Sequence, residues 1–325
     1  MKAGARNLIT DVPGLTVGQS DDPVLKSGVS VVVGDAPMVA GVHVMGGAPG
    51  TRETDLLRPD TLVERVDALT LSGGSAFGLS AAQGVMLAMA DDGRGFETYA
   101  GRVPIVPGAI LFDLGNGGEK AFSDDPYRAL GEAAYRARSE EVQLGTHGAG
   151  TGALVSGLKG GIGSASVVTE SGITVGALMA MNAVGQATVG VTGHFWAGAW
   201  EISDEFGGLG VSRDQAPPPK LKKLLDQNTV IGIVATDAAL TPAQATRLAM
   251  AAHDGIARAI VPSHMPVDGD LIFACSTEKK EAAFEDILML GHLAATCVSR
   301  AIARAVYEAT PADGDPFPTW KETFG

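Results

Sequence analysis

The sequence predicts a layered α/β fold with mixed strand directions, on three observations. Short apolar strands alternate with helices rich in small residues along the whole chain. Glycine is the compositional outlier, at 44 of 325 residues, about twice the usual ~7%. It falls at the ends of apolar runs, where turns and close backbone approaches require it. Strict strand–helix alternation is missing, which argues against a doubly wound parallel sheet.

The elements follow in chain order. Leu69–Leu71 reads as a buried strand running through Ser72-Gly-Gly-Ser-Ala-Phe-Gly into a helix that ends near Met89. Asp124-Asp125-Pro126 opens a second helix, with proline in the first turn, where its missing N–H costs nothing. From Ala149 to Val191 the pattern is strand-like, including Ser164–Thr169 and Ile173–Asn182, with no helical period. Residues 201–228 change character: Glu201–Gly210 is polar and glycine-broken, and Ala216-Pro-Pro-Pro-Lys-Leu-Lys-Lys is extended and basic, an exposed connection with polyproline character. A buried strand starts at or beside Thr229. Thr241-Pro-Ala-Gln244 is a capping box with proline at the first helical position. Behind it Ala245, Leu248, Ala249, Ala252, Ile256 and Ile260 form one apolar face. A further strand, Leu271–Ser276, follows Asp268-Gly-Asp270, and a last, largely buried helix spans roughly Glu281–Ala309.

Charge and composition exclude several functions. With 24 Lys+Arg against 37 Asp+Glu the formal charge is −13 and the pI about 4.8, so no basic footprint for nucleic acid is expected. The N-terminus has no apolar secretory core, and no run approaches the ~20 residues of a membrane span. The expectation is a soluble, cytoplasmic protein without a membrane partner. Cys275 and Cys297 supply neither a disulfide framework nor a zinc set. No pair among the six histidines has metal-ligand spacing, so neither metal nor cofactor is expected.

Four places carry possible chemistry. Gly73-Gly74-Ser75 fails the Gly-x-Ser-x-Gly elbow because position 77 is Phe77. What survives is a ring of backbone N–H groups suited to an anion or oxyanion, or simply tight strand-to-helix packing. Gly148–Ala153 and Gly160–Ser164 match no dinucleotide fingerprint or P-loop. Lys159, between them, would have a lowered pKa if buried and could assist a nucleophile; a solvated loop lysine is the simpler reading. At Asn228-Thr229 a β-branched hydroxyl stands where linker meets strand. Attack of Thr229 Oγ on the Asn228 carbonyl would give an ester that water can cleave, freeing an α-amine whose pKa of about 7.7–8.0 suits a base. Taken alone, that junction is read more simply as a threonine opening a strand. Asp268 and Asp270, two apart at a strand mouth, point to one face and interact, so that one can hold a proton while the other stays ionised; an Asp-Gly turn is the alternative.

Seven stretches in order, Gly46–Asp55, Leu71–Leu79, Gly148–Ala153, Lys159–Ser164, Met181–Gly185, Asn228-Thr229 and Asp268–Asp270, together resemble the family of DmpA-type aminopeptidases and nylon-oligomer hydrolases. This family comprises self-cleaving N-terminal-nucleophile hydrolases and includes β-aminopeptidase relatives. The resemblance covers nearly the whole chain. It implies an αββα sandwich in a single peptidase-like domain of residues 1–325, cut into a 228-residue α-chain and a 97-residue β-chain (325 − 228) that assemble as homo-oligomers of αβ heterodimers. It implies Thr229 as nucleophile, Asp268 and Asp270 as orienting and proton-moving partners, Lys159 tuning the hydroxyl, and Asn182 as a donor to the oxyanion or substrate carbonyl. The family's tyrosine has no evident counterpart: Phe112, near that position, lacks the hydroxyl. Asn-Thr at the junction favours the nylon-oligomer branch, hence amide hydrolysis on small peptides or ω-amino-acid oligomers. An ornithine-acetyltransferase-like acyltransferase ranks lower, because its Ala-Thr-Met cleavage site is missing. A non-enzymatic protein that binds an anionic metabolite fits the paired aspartates poorly.

Overall fold

The computed structural model describes residues 2–121, 124–213, 218, 220–222 and 228–325. Thirteen strands occur among these residues: β1 (Leu15–Asp22), β2 (Ser27–Val44), β3 (Thr51–Arg52), β4 (Arg65–Ser72), β5 (Phe96–Thr98), β6 (Gly101–Val103), β7 (Gly108–Ile110), β8 (Leu154–Val155), β9 (Leu158–Lys159), β10 (Gly161–Val168), β11 (Thr174–Asn182), β12 (Thr229–Ala238) and β13 (Leu271–Lys280). The helices are α1 (Ala81–Asp91), α2 (Pro126–Arg136), α3 (Pro242–Ala259), α4 (Phe284–Tyr307) and α5 (Trp320–Phe324).

Nine strands form one connected sheet in the order β10-β11-β12-β13-β2-β4-β7-β3, with β1 on β2. The 18-residue β2 joins two leaves. Its C-terminal part, Val39–Val44, pairs with β13, whereas Ser27–Gly34 pairs with β1 and Val29–Val33 with β4. The register with β4 shifts between Val33 and Met38, and Asp35–Pro37 is exposed there. Strand pairing is antiparallel except at β12–β13 and β4–β7, the mixture the sequence predicts.

Period-two alternation sends each strand's side chains into two cores. On β12 and β13, Val234, Ile272 and Ala274 face α3 and α4, while Ile231, Ile233, Leu271 and Phe273 face the opposite leaf. In that leaf Val32, Leu69 and Leu71 meet them, and Val31, Val33 and Ala68 pack outward on α1 and α2. Helix pair, leaf, leaf, helix pair: this is the αββα sandwich. Its layering requires strands with no polar face, which explains why the strand sequences are apolar on consecutive positions.

Local signals place the helices. Thr241 accepts a hydrogen bond from Gln244 N and Gln244 reaches back, closing the expected capping box with Pro242 in the first turn. Asp125 caps α2 through Arg128 N. The Ser75–Ser80 segment is a 3₁₀ helix, and α1 starts only at Ala81. At 24 residues α4 is long and apolar enough to cross a membrane, contrary to the expectation that no run is; two-thirds of its apolar window lies inside the fold. Both cysteines are free and buried, and burial pushes their thiols up to about 12. Residues 214–217, 219 and 223–227, which include half of the basic polyproline run 216–223, lie outside the described residues. The connection is not uniformly exposed, because Phe206 and Lys222 are buried.

Candidate active site

The site forms where β11 and β12 begin their pairing and the loop before β13 crosses their ends. Thr229 is the first residue of β12 and the cross-strand partner of Asn182, the last of β11. Thr229 is 3% exposed and Asn228 fully buried. The parallel β12–β13 register extends to a bridge between Asn228 and Asp268, so the Asp268-Gly269-Asp270 turn lies directly against the Asn228–Thr229 peptide. Gly269 N–H donates to the Asn228 carbonyl at 2.8 Å. Asp270 Oδ1 accepts the Val230 N–H at 2.8 Å.

The loop that follows β2 cradles this turn. Met45 and Gly46 N–H both donate to the Asp270 carbonyl, at 2.9 and 3.0 Å, and Ala48 N–H to the Asp268 carbonyl at 2.9 Å. A Cβ on Gly46 would strike Asp268 O and Asp270 N, and one on Gly47 would strike Pro266 O. That close approach accounts for glycine at both positions.

The two aspartates are held differently. Asp268 is buried; burial first, and then repulsion from Asp270, raise its carboxyl to about 6, while N–H groups of Met265 (3.0 Å) and Val184 (3.4 Å) oppose the shift. Asp270 Oδ2 takes the His264 N–H at 3.2 Å, and the His264 ring places Nδ1 2.8 Å from the same oxygen, off the line of a good hydrogen bond. His264 has φ of +54°, an uncommon conformation for a residue other than glycine. Its ring packs edge-on against buried His253, which in turn packs against His43 with 5.1 Å between centroids at both contacts. Burial lowers His253 to about 4, so at neutral pH this wall is an uncharged imidazole.

The remaining expected residues divide. Asn182 is in place, with its amide oriented by three contacts: Nδ2 donates one of its two N–H bonds to the Phe112 carbonyl at 2.6 Å, and Oδ1 accepts from Leu154 N at 3.0 Å and Lys222 Nζ at 3.2 Å. Phe112 therefore does adjoin the site, contributing its peptide carbonyl. Lys159 is buried, but its ammonium pairs with Asp315, which also holds Lys26. The lysine on Asn182 is Lys222, which the sequence reading passed over. Its Nζ also donates to Leu154 O at 3.0 Å, its N–H to Val184 O at 3.0 Å, and burial, partly offset by Asp268, lowers it to about 7. The Gly73-Gly74-Ser75 loop is not an open anion cradle. Gly73 N–H donates to Gly28 O, Ser75 N–H to Leu111 O, and Gly74 N–H to Asp113 Oδ1 at 2.8 Å. Tight packing is its role: a Cβ on Gly73 would strike Asp113 and Ser27. Among the described residues no group of three His, Cys, Asp or Glu is placed to hold a metal.

This geometry can be set beside known proteins. The sequence profile of peptidase family S58 matches residues 7–316. The chain belongs to peptidase family S58. A relative described as an uncharacterized aminopeptidase of Mycobacterium tuberculosis is 41% identical over 350 aligned positions, covering 98% of both chains. The 6-aminohexanoate-oligomer endohydrolase of Kocuria sp. is 25% identical, covering 85% of this chain and 76% of that one. In fold, the chain is similar to the L-aminopeptidase D-Ala-esterase/amidase from Ochrobactrum anthropi, described as a variant of the Ntn-hydrolase fold, with a TM-score of 0.68 at 23% identity over 97% of this chain and 90% of that one. As an S58 member the protein is a hydrolase of the aminopeptidase and amidase kind.

Proposed function

We propose that the chain cuts itself between Asn228 and Thr229, and that the freed Thr229 is the nucleophile of an amide hydrolase acting on small peptides or ω-amino-acid oligomers. The observation that carries this reading is the Asp-Gly-Asp turn seated on that one peptide bond, with Gly269 N–H on its carbonyl and Asp270 on the following N–H. Thr229 Oγ adds to the Asn228 carbonyl carbon as its proton passes to the aspartate pair. The C–N bond then breaks as nitrogen takes up a proton, leaving an ester and a free α-amine. Water hydrolyses the ester, giving the Asn228 carboxylate and restoring the hydroxyl. In turnover the α-amine of Thr229, with a pKa near 7.7–8.0, relays the Oγ proton to the leaving amine. Asp268 moves protons near neutral pH, and Asn182 with Lys222 holds the neighbouring wall.

The name of the Kocuria relative and the Asn-Thr junction favour oligomers of ω-amino acids as substrates. We further assign the processed chain to one domain, to the cytoplasm, and to a homo-oligomer of αβ heterodimers. A denaturing gel of the purified protein is expected to show fragments of 228 and 97 residues, roughly 23 and 10 kDa at ~0.1 kDa per residue. Thr229→Ala should give a single band and lose amidase activity. A cut Thr229→Ala chain would refute the assignment.

A further inference from the structure

Three imidazoles stand in a row beside the aspartate turn, and the proposed proton transfers use none of them. His264, His253 and His43 pack edge-on in that order. His253 Nε2 lies 3.1 Å from the His43 carbonyl, which pins the middle ring to β2. The outer ring, on His264, has a side chain only 14% exposed and sets Nδ1 2.8 Å from Asp270 Oδ2. A bare nitrogen there would repel the carboxylate, so Nδ1 carries a hydrogen. The same residue has φ of +54°. A left-handed residue turns successive N–H groups towards one concavity, an arrangement that suits anions. Here the His264 N–H lies 3.2 Å from Asp270 Oδ2 and the Met265 N–H 3.0 Å from Asp268 Oδ2.

We propose that His264 is a positioning residue, whose ring N–H and left-handed turn hold the Asp268–Asp270 pair in place beside Thr229 and favour its doubly ionised form. The inference rests on that pair moving the protons of the proposed self-cutting. Three donors from two adjacent residues reach the pair, one on Asp268 and two on a single oxygen of Asp270. Asp270 Oδ1 is thereby left to the Val230 N–H at 2.8 Å, which sets the carboxylate against the first residues of β12. The ring contact is off the line of a good hydrogen bond, so it acts through the charge on the N–H at short range. Glycine would take the left-handed conformation at less cost, so what the side chain adds at 264 is the donor. The other charged or titratable groups around the pair are Lys222, on the Asp268 side, and His253 and His43 behind the His264 ring. Burial, which lowers His253 to about 4, keeps that ring uncharged near pH 6.

Three substitutions separate the donor from the backbone. His264→Gly keeps the left-handed turn and loses the donor, and His264→Leu loses the donor but keeps bulk. His264→Asn keeps both a donor at the δ position and the tolerance of positive φ. Each chain is made by cell-free synthesis, shown folded by its thermal transition, and followed by intact mass as it cuts at a series of pH values. Without the donor the doubly ionised pair is less stable and takes its first proton at higher pH. The acid limb of cutting, near pH 6 in the wild type, should therefore rise by about one pH unit in His264→Gly and His264→Leu, and return in His264→Asn. Looser packing alone would slow cutting at every pH and leave the limb in place. A limb that keeps its wild-type position in His264→Gly, or that His264→Asn fails to restore, would overturn the proposal; His264→Leu reads the same loss should the glycine chain not fold. A wild-type chain that stays whole fails the nucleophile assignment and this inference with it, whereas a wild type that cuts beside variants with an unmoved limb fails this inference alone.

Discussion

Asp268 and Asp270 are two residues apart on one turn, yet their surroundings differ enough to separate their roles. Burial and the neighbouring charge hold the Asp268 carboxyl near 6, so it gives up its proton as pH rises through that value. As an acid with a raised pKa it accepts protons only above about 6. In self-cutting, before any Thr229 α-amine exists to titrate, the acid limb of the cutting rate should therefore lie near pH 6, with the rate rising above it. Asp270→Asn removes the second cause of the shift, so the limb should move to lower pH while the rate falls; a pH profile of both proteins checks this, and an unmoved limb would detach it from Asp268. Lys222 shows what sequence reasoning could not see at this scale. In the sequence it is one cation of Lys220-Leu-Lys-Lys behind three prolines, a pattern that signals solvent. It is buried because non-local acceptors, Leu154 O and Asn182 Oδ1, take its ammonium. The Lys159–Asp315 pair is hidden from the sequence for the mirror reason, since the two residues lie 156 positions apart.

At the scale of elements, the glycine motifs divide into those that shape the site and those that only pack. Gly46 admits the Asp-Gly-Asp turn against the loop after β2. Gly46→Ala should displace that turn by enough to slow self-cutting about 10²-fold, read as accumulated uncut chain. Unchanged processing would show that the turn's position is not what matters. Gly73 and Gly74 serve strand-to-helix packing, and Gly74 takes φ of +85° beside the Tyr127 ring. Helix starts were legible because caps are local: Thr241 with Gln244, and Asp125 with Pro126, act within four residues. The start of β12 was legible for the same reason, an abrupt change from polar linker to apolar strand. The commitment of the Gly73–Ser75 N–H groups was not, because Gly28, Leu111 and Asp113 come from separate strands and loops.

Over the whole molecule, the αββα layering depends on β2 serving both leaves, a property of pairing that no window of sequence displays. The layer between the leaves carries the site, since β11, β12 and β13 hold Asn182, Thr229 and the aspartate turn at one end. Phe273 is fully buried in that layer. Phe273→Ala in the uncut Thr229→Ala background should destabilise by about 3–5 kcal/mol, measured by urea unfolding, and a loss below ~1 kcal/mol would mean the layer is not a shared core. The central claim is that backbone cutting creates the nucleophile. Intact-mass analysis with fragmentation of the purified wild-type protein tests it most directly. The account predicts a 97-residue species whose first residue is Thr229 with a free α-amine; an unbroken 33.1 kDa chain with full amidase activity would contradict it.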